Sequence, residues 1–266
     1  MSRPDTIELE RPGTEEPAVR PEIDAVMTAL DTVMDPELDE SVAAMGFIES
    51  VSVTDRAADI VFRLPTFWCS ANFAFLMATD MRHAVEQLPA IDTARVRLVD
   101  HFASGKINRG VAAGLGFSEV FCGEANTNLA EIRQAFRERA FLGRQEALLK
   151  ALVARDGLVA ALATTIAGLA ELTRADDGNL RALALRYLAL RRHEGRGEDA
   201  DAPAFIALDG TAVAPDGYGT HLRMLRRVKG AAEANAEMCR LYLEARISHP
   251  APGCEPENRK DSDDDA

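Results

Sequence analysis

The chain has 266 residues, with 30 Lys and Arg against 43 Asp and Glu, a formal net charge of −13. That balance excludes wholesale binding to nucleic acid or to an anionic membrane, since both need a basic surface. A hydrophobic fraction of 47% and a charged fraction of 27% are those of an ordinary globular chain, long enough for one large domain or two small ones.

The charge is uneven. Residues 1–22 carry −3 and residues 250–266 carry −4, which leaves −6 between them. Both ends are rich in Pro, Gly and charge and poor in apolar residues. Segments 1–21 and 250–266 are therefore expected to be disordered acidic tails, unable to bury enough surface to offset the entropy of ordering. The N-terminal run MSRPDTIELERPG lacks an apolar stretch, so no secretory leader is expected. The uncharged runs Leu64–Thr79 and Gly157–Ala170 are too polar or too short to predict a membrane span. Cys69, Cys122, Cys239 and Cys254 form no CxxC pair, which points away from a disulfide framework and towards a reducing cytoplasm.

In chain order, Ile23, Val26, Met27, Leu30, Val33 and Met34 recur at helical spacing, and Pro36 ends that helix. Asp35-Pro36-Glu37-Leu38 reads as a turn. A short helical stretch over Glu40–Met45 stops at Gly46, a good residue for a helix C-terminus. Phe47–Val53 is a strand candidate. After a turn at Asp55-Arg56-Ala57, Ile60, Phe62 and Leu64 alternate with polar or smaller neighbours, predicting a hairpin. Ala71–Leu88 returns to the helical period and stops at Pro89. Ala94, Val96 and Leu98 give a third strand. Residues 22–102 thus predict an α+β domain of order α-β-β-α-β.

Beyond residue 102 the signals are helical, at about 106–113, 127–155 (capped by Asn126 or Thr127), 157–173, 178–193 and 219–247. Residues 103–249 are expected to form an all-helical domain, broken by a Gly/Asp/Pro-rich connection at 194–217. Within that connection Phe205–Leu208 reads as a short strand or a packed plug.

Enzyme signatures are sparse. There is no GxxxxGK[ST] and no GxSxG, and Ser104-Gly105-Lys106 lacks the rest of a phosphate loop. Asp80 and His83 share a helix face but fall short of the paired Glu-x-x-His sets of a di-iron bundle. The densest chemical signal is Leu64–Asn72, where Cys69 follows the only tryptophan, Trp68, at a strand-to-helix turn. The positive end of a helix favours a thiolate, which binds soft metals or attacks electrophiles. The bland alternative is a small apolar residue packed beside an aromatic.

Asp35-Pro36-Glu37-Leu38, then Met45-Gly46-Phe47-Ile48, a hairpin, Thr66-x-x-Cys69, a helix and a strand after Pro89 occur in an order that resembles a known family. It is the small metal–sulfur cluster assembly domain of cytosolic iron–sulfur targeting factors, bacterial iron–sulfur maturation proteins and the D protein of phenylacetate-degradation oxygenases. The resemblance covers about residues 22–102. It implies a non-catalytic maturation role in which iron or an iron–sulfur cluster is held transiently for a client enzyme. The motif positions are Asp35, Pro36, Glu37, Gly46, Thr66 and Cys69, with Cys69 the residue expected to contact metal. Dimerisation through this domain is a family expectation. The sequence departs from the pattern at Ser70, where proline is usual and a helix N-cap is expected instead. It departs again at Asp100-His101-Phe102, which replaces a Pro-Trp segment and offers His101 as a second, weaker metal ligand. Asp35 and Pro36 are also ordinary turn residues.

The helical half carries clustered basic residues: Arg181, Arg186, Arg191, Arg192 and Arg196, then Arg223, Arg226, Arg227 and Lys229. They read as a solvated face or as a docking surface for an acidic client. The Leu158–Leu172 stripe reads most simply as core, with a partner-binding groove in the absence of the client as the alternative. The expected function is an accessory factor for a client metalloenzyme, with a bacterial multicomponent di-iron monooxygenase the expected client. Two alternatives stand beside it: a metal-free interaction scaffold for an oxygenase subunit, and a thiol enzyme using Cys69 with His101 as base.

Overall fold

The computed structural model describes residues 21–122, 129–197 and 199–248. The two tails, the Asn126/Thr127 cap, His249, Cys254 and the side chains of Arg227 and Lys229 lie outside the described residues.

The alternation seen in the sequence sets the sheet. Strand β1 (Ile48–Thr54) pairs antiparallel with β2 (Ala57–Arg63), and β2 pairs parallel with β3 (Thr93–Val99), in the order β1-β2-β3. Asp55 and Arg56 both adopt positive φ, as a two-residue hairpin turn of matching twist requires. Ala58 lies beside Ala94, Ile60 beside Val96 and Phe62 beside Leu98, so the buried residues of neighbouring strands fall on one face. That face is covered by α1 (Pro21–Leu30), α2 (Ala71–Glu86) and α3 (Ser104–Ala113). The opposite face is polar, and there Asp59 pairs with Arg95 directly across the ladder at 2.8 Å. The α-β-β-α-β order and the α+β class are as the sequence implies.

Three local differences have physical causes. Helix α1 ends at Leu30, short of Met34, because the chain tightens into i→i−3 bonds at Thr32 and Val33 and Met34 then bridges Ser41. Glu40–Met45 forms successive turns in place of a helix, held by the Ser41 hydroxyl accepting from the amides of Ala43 and Ala44. The first core also continues past residue 102. It takes in Ile107 and Val111 of α3 and then Phe117 and Phe121 at the short helix α4 (Phe117–Val120). Helices α3 and α4 touch closely because residue 110 is glycine: a Cβ there would run into the Val120 side chain.

A second core forms between α5 (Leu129–Asp156), α6 (Leu158–Leu162), α7 (Ile166–Leu172) and α8 (Gly178–His193), with Leu225 from α9 (Tyr218–Ser248). The single helix expected over 157–173 is two. Thr165 caps α7 by accepting from the Gly168 amide at 3.2 Å, and the amides of Ile166 and Ala167 turn aside to the carbonyls of Ala202 and Ala200. Of the two readings for Phe205–Leu208, the packed plug is the one observed: Phe205 and Ile206 are buried, with Ile206 in a lone bridge to Ala212. Buried Gln145 holds the plug. Its Oε1 accepts from the Ile206 amide at 2.9 Å and its Nε2 donates to the Ile206 carbonyl at 3.0 Å, as a neighbouring strand would. The Tyr187 hydroxyl donates to the Ala204 carbonyl at 2.8 Å beside it.

Candidate functional site

The parallel pairing of β2 with β3 puts the C-terminal ends of both strands side by side. Such an edge, where loops leave the sheet together, is where α/β folds collect functional groups. The loop after β2 carries Cys69, and the loop after β3 carries His101. Across the gap the Phe102 amide donates to the Phe67 carbonyl at 3.2 Å.

Thr66 and Cys69 form a closed turn, with the Cys69 amide donating to the Thr66 carbonyl at 3.3 Å. The side chain folds back on the same residue. The Thr66 amide donates to the Cys69 sulfur at 3.4 Å, and the Thr66 hydroxyl lies 3.3 Å from it. The T-x-x-C spacing thus cradles one sulfur between an amide that donates to it and a hydroxyl within hydrogen-bond reach, the kind of outer support that orients a sulfur ligand. Ser70 occupies the N-cap position of α2, but its hydroxyl makes no capping hydrogen bond.

His101 is 3% exposed and anchors this turn from below. Its Nδ1 accepts from the Ala103 amide at 3.2 Å, which fixes the proton on Nε2, and Nε2 donates to the Cys69 carbonyl at 2.8 Å. Burial, reinforced by the nearby Arg246 charge, holds its pKa below the usual histidine value. The imidazole therefore reaches the Cys69 backbone, as its place at the same sheet end suggests. In this arrangement neither nitrogen is free for a metal or for the Cys69 sulfur.

The Asp35-Pro36-Glu37 turn is a folded loop held by its own carboxyl. Asp35 Oδ1 accepts from the amides of Glu37 at 2.9 Å and Leu38 at 3.0 Å. Burial pushes this carboxyl up to about 6 against the opposing pull of those two amides. Gly46 sits at φ +74°, a left-handed conformation that costs glycine little, and it turns the chain into β1.

Helix α9 then lies against these turns. Asn235 donates to Glu37 at 3.3 Å, and Arg240 pairs with Glu40 at 3.5 Å. Ala236 and Leu243 are buried in the first core, and Cys239 packs against it together with Cys69. At the far end Arg246 donates to the Leu64 carbonyl at 2.7 Å and to the Asp100 carbonyl at 2.9 Å, and it pairs with the Asp100 carboxylate. One arginine thus ties together the loops that carry Cys69 and His101. Burial pushes the Cys239 thiol up to about 11, with the neighbouring Asp35, Cys69 and Glu37 adding to the effect. Neither Cys239 nor Arg246 emerges from sequence reading. The face made by 236, 239, 243 and 246 has helical spacing, but the spacing alone does not say what it packs against.

Beside Cys69 an aromatic cluster faces outward. Trp68 is 75% exposed, stacks on Phe102 at 5.7 Å and meets Phe67 edge-on at 4.9 Å. Among the described residues no group of three or more His, Cys, Asp or Glu is placed to hold a metal ion. Asp80 pairs with Arg133 at 2.9 Å and His83 is exposed. A cavity of about 350 Å³ lined by Ile23, Val53 and Arg56 lies at the opposite end of the sheet from Cys69. No helix among the described residues is long and apolar enough to cross a membrane.

A three-stranded α-β-β-α-β module with a cradled thiol at the shared strand ends defines a class of small α+β domain. Residues 23–98 match the family model described as iron-sulfur cluster assembly protein. The match takes in Asp35, Pro36, Glu37, Gly46, Thr66 and Cys69 and stops before His101. It supports a general role in iron–sulfur cluster assembly. No curated protein and no solved structure matches the chain.

Proposed function

We propose that this protein is a non-enzymatic, cytoplasmic accessory factor that helps assemble an iron or iron–sulfur centre in a client enzyme, with a bacterial multicomponent di-iron monooxygenase as client. The observation that carries the reading is the family match over 23–98, which spans the Thr66–Cys69 cradle. Iron or a cluster is here the cargo, held in passing at Cys69 and completed by donors from the client. Two further observations support it. The exposed Phe67, Trp68 and Phe102 give the client an apolar surface beside the thiol. The engagement of both His101 nitrogens elsewhere leaves Cys69 without the base a thiol enzyme needs.

Co-expression tests the reading. The subunits of a bacterial multicomponent di-iron monooxygenase should gain metal content and activity when this chain is co-expressed, and Cys69→Ser should remove the gain. Equal metal loading with and without the chain overturns it. The same aromatic surface favours one second reading, a metal-free scaffold for an oxygenase subunit. That reading predicts a stable complex with the subunit, no iron bound under anaerobic conditions, and full function in Cys69→Ser.

A further inference from the structure

We propose that His221 of α9 is an acid-sensitive latch on the buried plug: proton uptake by its ring turns the Gln145 side chain away from Ile206 and frees the connection between α8 and α9. The device lies in the second core, goes beyond the maturation reading and stands apart from the Cys69 turn.

The orientation of the Gln145 amide is fixed by the backbone of residue 206. Oε1 accepts from the Ile206 amide at 2.9 Å, and Nε2 donates to the Ile206 carbonyl at 3.0 Å. A flipped amide would set donor against donor and acceptor against acceptor at both bonds. The second Nε2 hydrogen is then left for His221, whose own Nε2 lies 3.3 Å away. That ring nitrogen accepts, so the proton of the neutral imidazole sits on Nδ1. Gln145 and His221 are both buried.

A second ring proton has one place to go, Nε2, and there it points at an amide N–H. Two donors cannot stay face to face in a buried site. Turning Gln145 offers Oε1 to the imidazolium, but both bonds to Ile206 are then lost. A seated plug and a charged His221 therefore exclude one another. Position adds to this: His221 lies in the first turn of α9, with its amide donating to the Gly217 carbonyl at 3.0 Å, and the positive end of a helix disfavours a cation.

Other charged and titratable groups lie on the elements packed around the ring. On α5 there is the buried Glu146, and on α8 Tyr187 and the buried Arg191. Arg223 on α9 donates to the Thr220 hydroxyl at 3.0 Å, while Asp209 and Asp216 of the connection are exposed. Burial pushes Tyr187 up to about 12, so its hydroxyl keeps its proton throughout. Burial also holds the His221 pKa below its ordinary 6.5. In the opened connection the ring returns to that ordinary value. Seating is thus at full strength above about 6.5 and weakens as the pH falls.

Amide exchange of the full chain tests the latch. Protection of the Ile206 amide, corrected for the intrinsic exchange rate, should fall severalfold and by no more than about tenfold between pH 7.5 and pH 5.5. His221→Gln keeps an acceptor for the Gln145 amide and cannot titrate, so its protection should change less than twofold over the same range. Nitrogen-15 NMR of the parent at pH 7.5 should show the His221 ring protonated on Nδ1, with Nε2 free of hydrogen. A proton on Nε2 overturns the inference on the unsubstituted chain, whatever the variant does to folding. Parent protection that is the same at both pH values overturns it, and so does an equal fall in His221→Gln.

Discussion

Asp35→Asn should stabilise the protein at neutral pH and leave it nearly unchanged at acid pH. Asp35 is 8% exposed, and its pKa of about 6 compares with an ordinary 3.8. The unfolded chain therefore ionises first as pH rises, while the folded chain holds the proton longer. Stability from this group is complete below about 3.8 and is lost as pH climbs through 6. At about 1.36 kcal/mol per pKa unit the loss is roughly 3 kcal/mol by pH 8. Asparagine keeps an oxygen for the Glu37 and Leu38 amides and never ionises. The variant should then exceed the parent by about 3 kcal/mol at pH 8 and by about 0.5 kcal/mol at pH 4. Urea unfolding followed by far-UV circular dichroism measures this, since Trp68 is too exposed to report on the core. A variant less stable than the parent at pH 8, or an equal difference at both pH values, would refute the reasoning. A carboxylate that costs stability at working pH is also what a functional position looks like.

Gly110→Ala forces a methyl against Val120 and should cost about 1–3 kcal/mol in urea unfolding, since α3 and α4 cannot separate without exposing Phe117 and Phe121. Gln145→Ala strands the buried amide and carbonyl of Ile206 and should cost about 2–4 kcal/mol, read from the second core's amide exchange; a loss under 0.5 kcal/mol would show the plug is held by packing alone. His101→Ala removes the donor to the Cys69 carbonyl and should raise the alkylation rate of Cys69 severalfold while Cys122 stays unchanged; an unchanged Cys69 rate would mean Thr66 alone sets the turn.

Much of the first core is legible because strand and helix periods there are clean. The Ile60/Phe62 and Val96/Leu98 alternation gives the strands, and parallel pairing then brings His101 under Cys69 without further information. The misreadings share a cause: bonds that periodicity does not report, some to distant partners and some to a nearby hydroxyl. The break between α6 and α7 follows from bonds to the 200–202 loop, and the Glu40–Met45 turns follow from the Ser41 hydroxyl and the Met34 bridge. Cys239 was beyond reach for the same reason. It lies 170 positions from Cys69, and amphipathic spacing names a buried face without naming its neighbour.

The arginines of the helical half show how far a charge pattern can be read. Arg144 grips Asp39 through two bonds at 2.8 and 2.6 Å, and Arg186 pairs with the same carboxylate at 3.5 Å. Arg240 pairs with Glu40, and Arg246 pairs with Asp100. Arg191 is buried on the carbonyls of Gly197 and Ala204, and Arg196 holds the Leu208 carbonyl. Arg186, Arg240 and Arg246 are each met by an acidic residue from the first part of the chain, Asp39, Glu40 and Asp100 in turn. On α9 the strongest of these is Arg246, partly buried on the Leu64 and Asp100 carbonyls and the Asp100 carboxylate, while the half-exposed Arg240–Glu40 pair contributes at most about 1 kcal/mol. The surface beside the thiol that remains open is aromatic, at Phe67, Trp68 and Phe102. A client that docks there meets apolar surface, so its binding should depend weakly on salt.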